Sequence, residues 1–434
     1  MTSERVPLPG AVRRLLVSHA LASVGMSLPW PLLLVLVWER TGDGGHGELL
    51  LGLAGAARML PYVLLSWATG RLADRFRRDR LLRATLAARV VLLAAVAVAV
   101  WQGRLLAAVV AAALTIACGT PAYPALAAAM PGAAGEARRR ATDLLVTIEV
   151  ASFVVGPALG GLLLAAPTRR WLPLCAVVLA VASYGLVLGV MLARPGRAAD
   201  DRSGEGGVLQ ALRRSRVASR AVGVLGLLNA VDAVLVLGLL PVAARLWHDD
   251  AGGYGLATGM LGFGALGAPL LWRLGSSASG RARGGLLLLG AALAALAATG
   301  SVGAAVLPLV IAGAATVHVE GAATEAIQDG VPDAHRAGVL GLTDSVMVGA
   351  ALLGSLAAPW LAGVLGPRGL LVSLALTCVA TLTVVGRRAA TTTPVSPATP
   401  VPWVPTQRAP GTEVPGAQPD GRRDAQRAPT TSGT

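Results

Sequence analysis

Gly70-Arg71-Leu72-Ala73-Asp74-Arg75-Phe76-Arg77-Arg78-Asp79-Arg80 is a charged island between two long apolar runs. Residues 49–69 before it and most of 81–101 after it are apolar, and each run is long enough to cross a ~30 Å hydrocarbon core at ~1.5 Å per residue. The island therefore reads as a loop joining two transmembrane helices. Composition agrees. With 54% hydrophobic and 14% charged residues and a mean hydropathy of +0.66, a soluble chain of 434 residues would lack the polar surface to stay wetted.

Working outward from the island, apolar runs of helical length number twelve: residues 15–38, 49–69, 81–101, 104–128, 142–166, 170–193, 220–243, 252–274, 284–302, 304–328, 337–361 and 367–386. The expected fold class is all-α integral membrane, with twelve transmembrane helices in two six-helix bundles. All 37 basic residues are arginines. If the N-terminus is cytoplasmic, 25 of them flank the inner ends, among them Arg13, Arg14, Arg138, Arg213 and Arg387, against six at the outer ends, including Arg40, Arg104 and Arg245. That asymmetry places both termini in the cytoplasm of a multi-pass cell-membrane protein. It also accounts for the net charge of +14 without nucleic acid, leaving anionic lipid headgroups as the expected basic-surface partner. Cys118, Cys175 and Cys378 fall in separate spans with no paired spacing, so they read as packing residues. The first apolar run is too long for a cleavable signal and reads as a retained helix.

Residues 194–219 are polar and split the runs six and six, so they read as a cytoplasmic linker between bundles spanning 1–193 and 220–388. Residues 389–434 hold Pro394, Pro397, Pro400, Pro402 and Pro405 and are expected to be a disordered tail. The halves also repeat. Met130-Pro131, Arg140-Ala141 and Glu149 follow the fourth run as Val331-Pro332, Arg336-Ala337 and Asp344 follow the tenth. Copies six spans apart have the same orientation, as in parallel repeats about an axis along the bilayer normal.

With the island between the second and third of twelve runs, the chain resembles the major facilitator superfamily over about residues 10–388. Gly70, Leu72, Ala73, Asp74, Arg75 and Arg78 match the family's loop signature, with departures at Arg77, where glycine is usual, and Asp79, where a base is usual. Gly156-Pro157-Ala158-Leu159-Gly160-Gly161 in the fifth run is similar to the family's exporter-associated pattern, with Ser152 in place of an earlier glycine. The resemblance implies that spans one, four, seven and ten line a central cavity. Gly70 would permit close approach or a positive φ where the second helix ends, and Asp74 among Arg75 and Arg78 could form charge-assisted bonds that latch one transport conformation.

Ionisable residues inside spans are costly, and usually face the bundle interior or water. Asn229 and Asp232 share a face of span seven; in span ten His318, Glu325 and Asp329 form one stripe and Thr316, Glu320 and Thr324 its neighbour. Asp232 and Glu320 are the leading substrate and proton residues, with Glu325 as an exit and Asn229 and His318 as further candidates. Two such carboxylates repel when both are ionised, so one is expected to exchange a proton near neutral pH. Arg58, Glu149 and Asp344, in spans two, five and eleven, are candidate ion-pairing residues between bundles, and Arg89 is placed to snorkel to the inner surface.

The expected function is secondary transport of a small molecule, with proton-coupled efflux by alternating access as the leading form and a monomer as the working unit. An importer of the same fold is the alternative. A polytopic enzyme or a non-transporting sensor is less favoured, because the five histidines are dispersed without metal spacing and no phosphate-cradling loop is present. No cofactor, metal or catalytic residue is expected.

Overall fold

The computed structural model describes residues 7–41, 45–164, 168–192 and 205–386, and every regular element among them is helical. The expected tail at 389–434 and the linker residues before Glu205 lie outside this set. Helices α1 (Gly10–Ser27) and α2 (Trp30–Thr41) make one bent span of 32 residues, because Pro29 between them has no N–H to give the preceding turn. Helix α3 (Gly45–Arg75) runs straight through Gly70, so the expected break there is not found. The chain turns only at Phe76 and Arg77 before α4 (Arg78–Trp101) begins. Gly103, at φ +69, makes the next turn into α5 (Leu105–Gly119), which Pro121 separates from α6 (Ala122–Ala134). Helices α7 (Arg138–Leu164) and α8 (Leu172–Val187) complete the first half.

Part of the expected linker is itself helical. Helix α9 (Glu205–Arg214) packs on the elements that follow, with Val208 against Gly338. Then come α10 (Arg216–Val242), α11 (Asp250–Leu266), α12 (Ala278–Ala297), α13 (Val302–Gly330) and α14 (Asp333–Gly386). Three serines cap helix starts by accepting a backbone N–H three residues on: Ser215 from Ala218, Ser277 from Gly280 and Ser301 from Ala304. After Pro241 the end of α10 widens into a π-helical turn, Ala243–Trp247, which His248 closes in the left-handed conformation at φ 54.

Ten helices among the described residues are long and apolar enough to cross a membrane, against the twelve runs expected. Two places account for the difference. Helix α11 has 17 residues and gives way at Gly267 to a 3₁₀ segment, Ala268–Leu274, so the run at 252–274 is not one regular span. The runs at 337–361 and 367–386 are joined in α14, whose apolar part of 46 residues would reach ~69 Å if straight. It is not straight: Gly366, at φ 66 and ψ 173, is non-helical and divides it.

Burial follows the lipid-solvent pattern. Leu33, Val35, Leu239 and Leu293 have no exposed surface, whereas Leu106, Met191 and Leu270 are 78–84% exposed and face outward as apolar side chains can in lipid. In the first half α1 packs on α7 and α8 and α4 on α5 and α8; in the second α10 packs on α14, α12 on α13 and α11 on α13. The main contacts between the halves are α3 with α14 and α7 with α11, with smaller ones of α2 and α3 on α10 and of α2 on α11.

Candidate functional site

Polar side chains from six helices gather where the halves meet. Arg58 of α3 and Asp232 of α10 are half-buried and close enough to interact electrostatically, one from each half. Glu320 of α13 lies within electrostatic reach of Asp232 and of Asp344 on α14. Asp344 is exposed, and it also acts on Tyr123 of α6 in the other half. Tyr123 and Tyr62 of α3 both feel Glu149 of α7, and Tyr62 also feels Arg58 and Arg89. The groups therefore form a closed circuit, from Arg58 through Asp232, Glu320, Asp344, Tyr123, Glu149 and Tyr62 back to Arg58.

The span-ten stripes separate on this circuit. Glu320 faces it, whereas Glu325 is ion-paired with Arg281 of α12, and His318, 2% exposed, packs beside Gly285 of the same helix. His318 and Glu325 thus lie on the α12 side of α13. Asn229 donates its amide to the Leu225 carbonyl at 3.0 Å within its own helix, one turn before Asp232. Asp329 is exposed.

Among the candidate ion-pairing residues, Glu149 is bonded to His19 of its own half, Nε2 to Oε2 at 2.7 Å, with the Tyr123 ring 5.9 Å from the imidazole. Arg89 does not snorkel. It is 4% exposed and donates to the Gly119 carbonyl at 3.1 Å, a position open to it because a Cβ on Gly119 would occupy the guanidinium's place. Trp30 at the start of α2 is fully packed at 1% exposure.

In the loop signature, the side chains of Gly70, Asp74 and Arg75 lie outside the described residues. Arg78 donates to the Ala128 carbonyl of α6 at 3.0 Å. Asp79, where the resemblance has a base, is 2% exposed and accepts from Arg77 at 3.2 and 3.3 Å and from Arg83 at 2.7 Å. The acid fills its unusual position by binding the arginines around it.

The helix-five motif is a packing seat on two sides. A side chain on Gly156 would strike Ser27, one on Gly160 the Leu28 carbonyl, and one on Gly161 both Thr258 and the Gly255 carbonyl. Pro157 lies inside the same helix. Backbones of α7, α1 and α11 therefore touch without intervening side chains.

One end of the interface holds a cluster that the sequence reading passed over. Glu48, at the start of α3, is 7% exposed and accepts from Arg245 of the π-helical turn at 2.9 Å, and the Arg245 guanidinium sits 5.9 Å from the centre of the Trp38 ring. Beside them Gly52 packs on Pro359 and Gly55 on Leu237. At the arginine-rich end the corresponding stretches are open: Val146, Thr147, Asp344 and Val346 are all exposed.

A family model described as Major Facilitator Superfamily matches residues 15–347. The chain belongs to that superfamily. No curated protein matches the chain. Among solved structures, a POT family peptide transporter in an auto-inhibited form shares 15% identity at a TM-score of 0.66, covering 90% of this chain and 99% of its own. A D-xylose-proton symporter shares 14% at 0.65, covering 86% and 95%, and a human organic anion transporter shares 16% at 0.61, covering 87% and 99%. At these identities the likeness is one of fold. The superfamily member described here is a multi-pass, all-helical membrane transporter.

Proposed function

We propose that this chain exports a small molecule in exchange for protons by alternating access. Its working architecture is twelve spans in two six-helix bundles, with both termini and residues 194–219 on the cytoplasmic side and a monomer as the unit. Division of α14 at Gly366 and a short eighth span at α11 supply the two crossings beyond the ten helices of full length. The pairing of α3 with α14 and of α7 with α11 supports the repeat, because shifting by six spans exchanges one contact for the other. Packing at the Glu48 end and exposure at the arginine-rich end suit a cytoplasm-facing state.

The observation that carries the reading is the Asp232–Glu320 neighbourhood. Two carboxylates from facing helices share a half-buried site, and a single arginine from the other half, Arg58, acts on only one of them. Such a site cannot hold both charges without cost, so it binds either a proton or a cationic group, and Arg58 ties its occupancy to the approach of the halves. Asn229 borders the route one turn from Asp232, His318 and Glu325 face α12 and lie off it, and Gly70, Asp74, Arg75 and Arg78 form the latch between α3 and α4.

The test uses inside-out vesicles with an acid interior and a panel of fluorescent organic compounds. Wild-type protein should accumulate at least one compound uphill, with collapse on adding a protonophore. The double variant Asp232→Asn/Glu320→Gln should lose about tenfold or more of that rate, equivalent to at least ~1.4 kcal/mol. Accumulation by the double variant at the wild-type rate defeats the assignment.

A further inference from the structure

We propose that His19 and Glu149 form a second proton-binding site, in the first half of the transporter and separate from Asp232 and Glu320. Geometry carries this. The imidazole Nε2 and the carboxylate Oε2 are 2.7 Å apart, and the His19 side chain is 4% exposed while that of Glu149 keeps 26%. His19 comes from α1 and Glu149 from α7, each at mid-helix and away from the arginine-rich ends. A hydrogen bond of this length requires a proton between two groups that are both bases in their deprotonated forms. One proton is therefore resident, on either atom, and the pair can release it only by leaving two acceptors facing each other.

The surroundings suit exchange better than a permanent structural bond. From α6 the Tyr123 ring lies 5.9 Å from the imidazole. Tyr123 also acts electrostatically on Glu149, as do Tyr62 of α3 and Arg89 of α4, and Asp344 of α14 reaches Tyr123. On the α8 side the neighbour of His19 along its helix, Ser18, is bonded to Ser183 at 2.9 Å and offers no charge. Cys118 of α5 acts only on Arg89 among these groups. Arg89 is a cation within electrostatic reach of Glu149, and its bond to the Gly119 carbonyl holds it in place. The proton thus sits between a histidine closed to water and a carboxylate partly open to it, the arrangement of a site with an exit.

The circuit through Tyr62 and Arg58 joins this pair to Asp232. Tyr62 lies within electrostatic reach of both Glu149 and Arg58, so each half would carry one proton site bordering the same group of side chains. The inference uses the transporter reading for its meaning, but its test needs no transported solute.

Full-length protein with ¹⁵N-labelled histidine is placed in lipid nanodiscs and followed by nuclear magnetic resonance between about pH 5 and 9. The signal absent from His19→Gln identifies the residue, with His335→Gln as a control. In wild-type protein that signal should report a change of protonation within the range, and in Glu149→Gln its proton affinity should differ by about tenfold or more. A signal that keeps one protonation state throughout, or the same midpoint in Glu149→Gln as in wild type, overturns the proposal. Equal thermal stability of Glu149→Gln and wild type separates a changed site from a misfolded variant. Failure here leaves vesicle transport untouched, and failure of transport leaves this titration standing.

Discussion

At the scale of single residues, the chain shows how a substituted motif position is made good. Asp79 stands where the resemblance has a base, yet it is buried and satisfied by Arg77 and Arg83, so the turn between α3 and α4 is held by an acid at its centre. Asp79→Asn keeps the shape and removes the charge, leaving two arginines in mutual repulsion. It should weaken thermal stability by an amount equivalent to about 1–2 kcal/mol, after screening at the partly exposed arginines, measurable as a lower midpoint of thermal unfolding in detergent. An unchanged midpoint would mean the arginines find water instead. The intramembrane acids were legible from their cost in lipid, and the resemblance put Asp232 and Glu320 foremost among them. Their partners were not. His19 stood in the first apolar run under the same rule, but which residue 130 positions away it meets depends on how α1 is rotated against α7. Composition carries no record of that rotation.

At the scale of elements, the spans were readable because lipid imposes length and apolarity on each one independently. Where neighbours decide instead, the reading slipped. Gly70 was expected to end a helix, but α3 continues five residues further to Arg75. The final pair of runs, separated in the sequence by residues near 366 that interrupt the apolar pattern, is one long helix divided at the non-helical Gly366. Helix α7 is the element whose motif has a direct mechanical meaning, since its glycines touch α1 on one side and α11 on the other. Gly161→Leu would push α11 away by the width of a side chain. Transport should fall about tenfold or more and thermal stability by about 1–3 kcal/mol, while Gly303→Leu, at a position with open space, serves as the control. Equal activity of the two variants would show that the close approach is dispensable.

At the scale of the whole molecule, the halves touch at one end and stand open at the other, and the closing contacts include one ion pair. Glu48→Gln removes its charge and should raise the population of states open at that end. The measurement is the rate at which a membrane-impermeant thiol reagent labels Leu237→Cys, now 3% exposed, in a background where Cys118, Cys175 and Cys378 are alanine. A rise of about threefold or more is expected, corresponding to ~0.7 kcal/mol of lost closure. No change in rate would assign closure to the Gly52–Pro359 and Gly55–Leu237 packing alone.

That same ion pair rests on a fault of winding. Glu48 and Arg245 are 197 residues apart, and Arg245 is delivered by the wide turn at Ala243–Trp247, which takes up about one residue more than ordinary helical pitch allows. Deleting Ala244 would restore the pitch and swing the segment beyond it by about 100°, carrying the guanidinium off both Glu48 and the Trp38 ring. The registration of two distant parts of the chain is therefore set as on a vernier, by a single extra graduation in one scale.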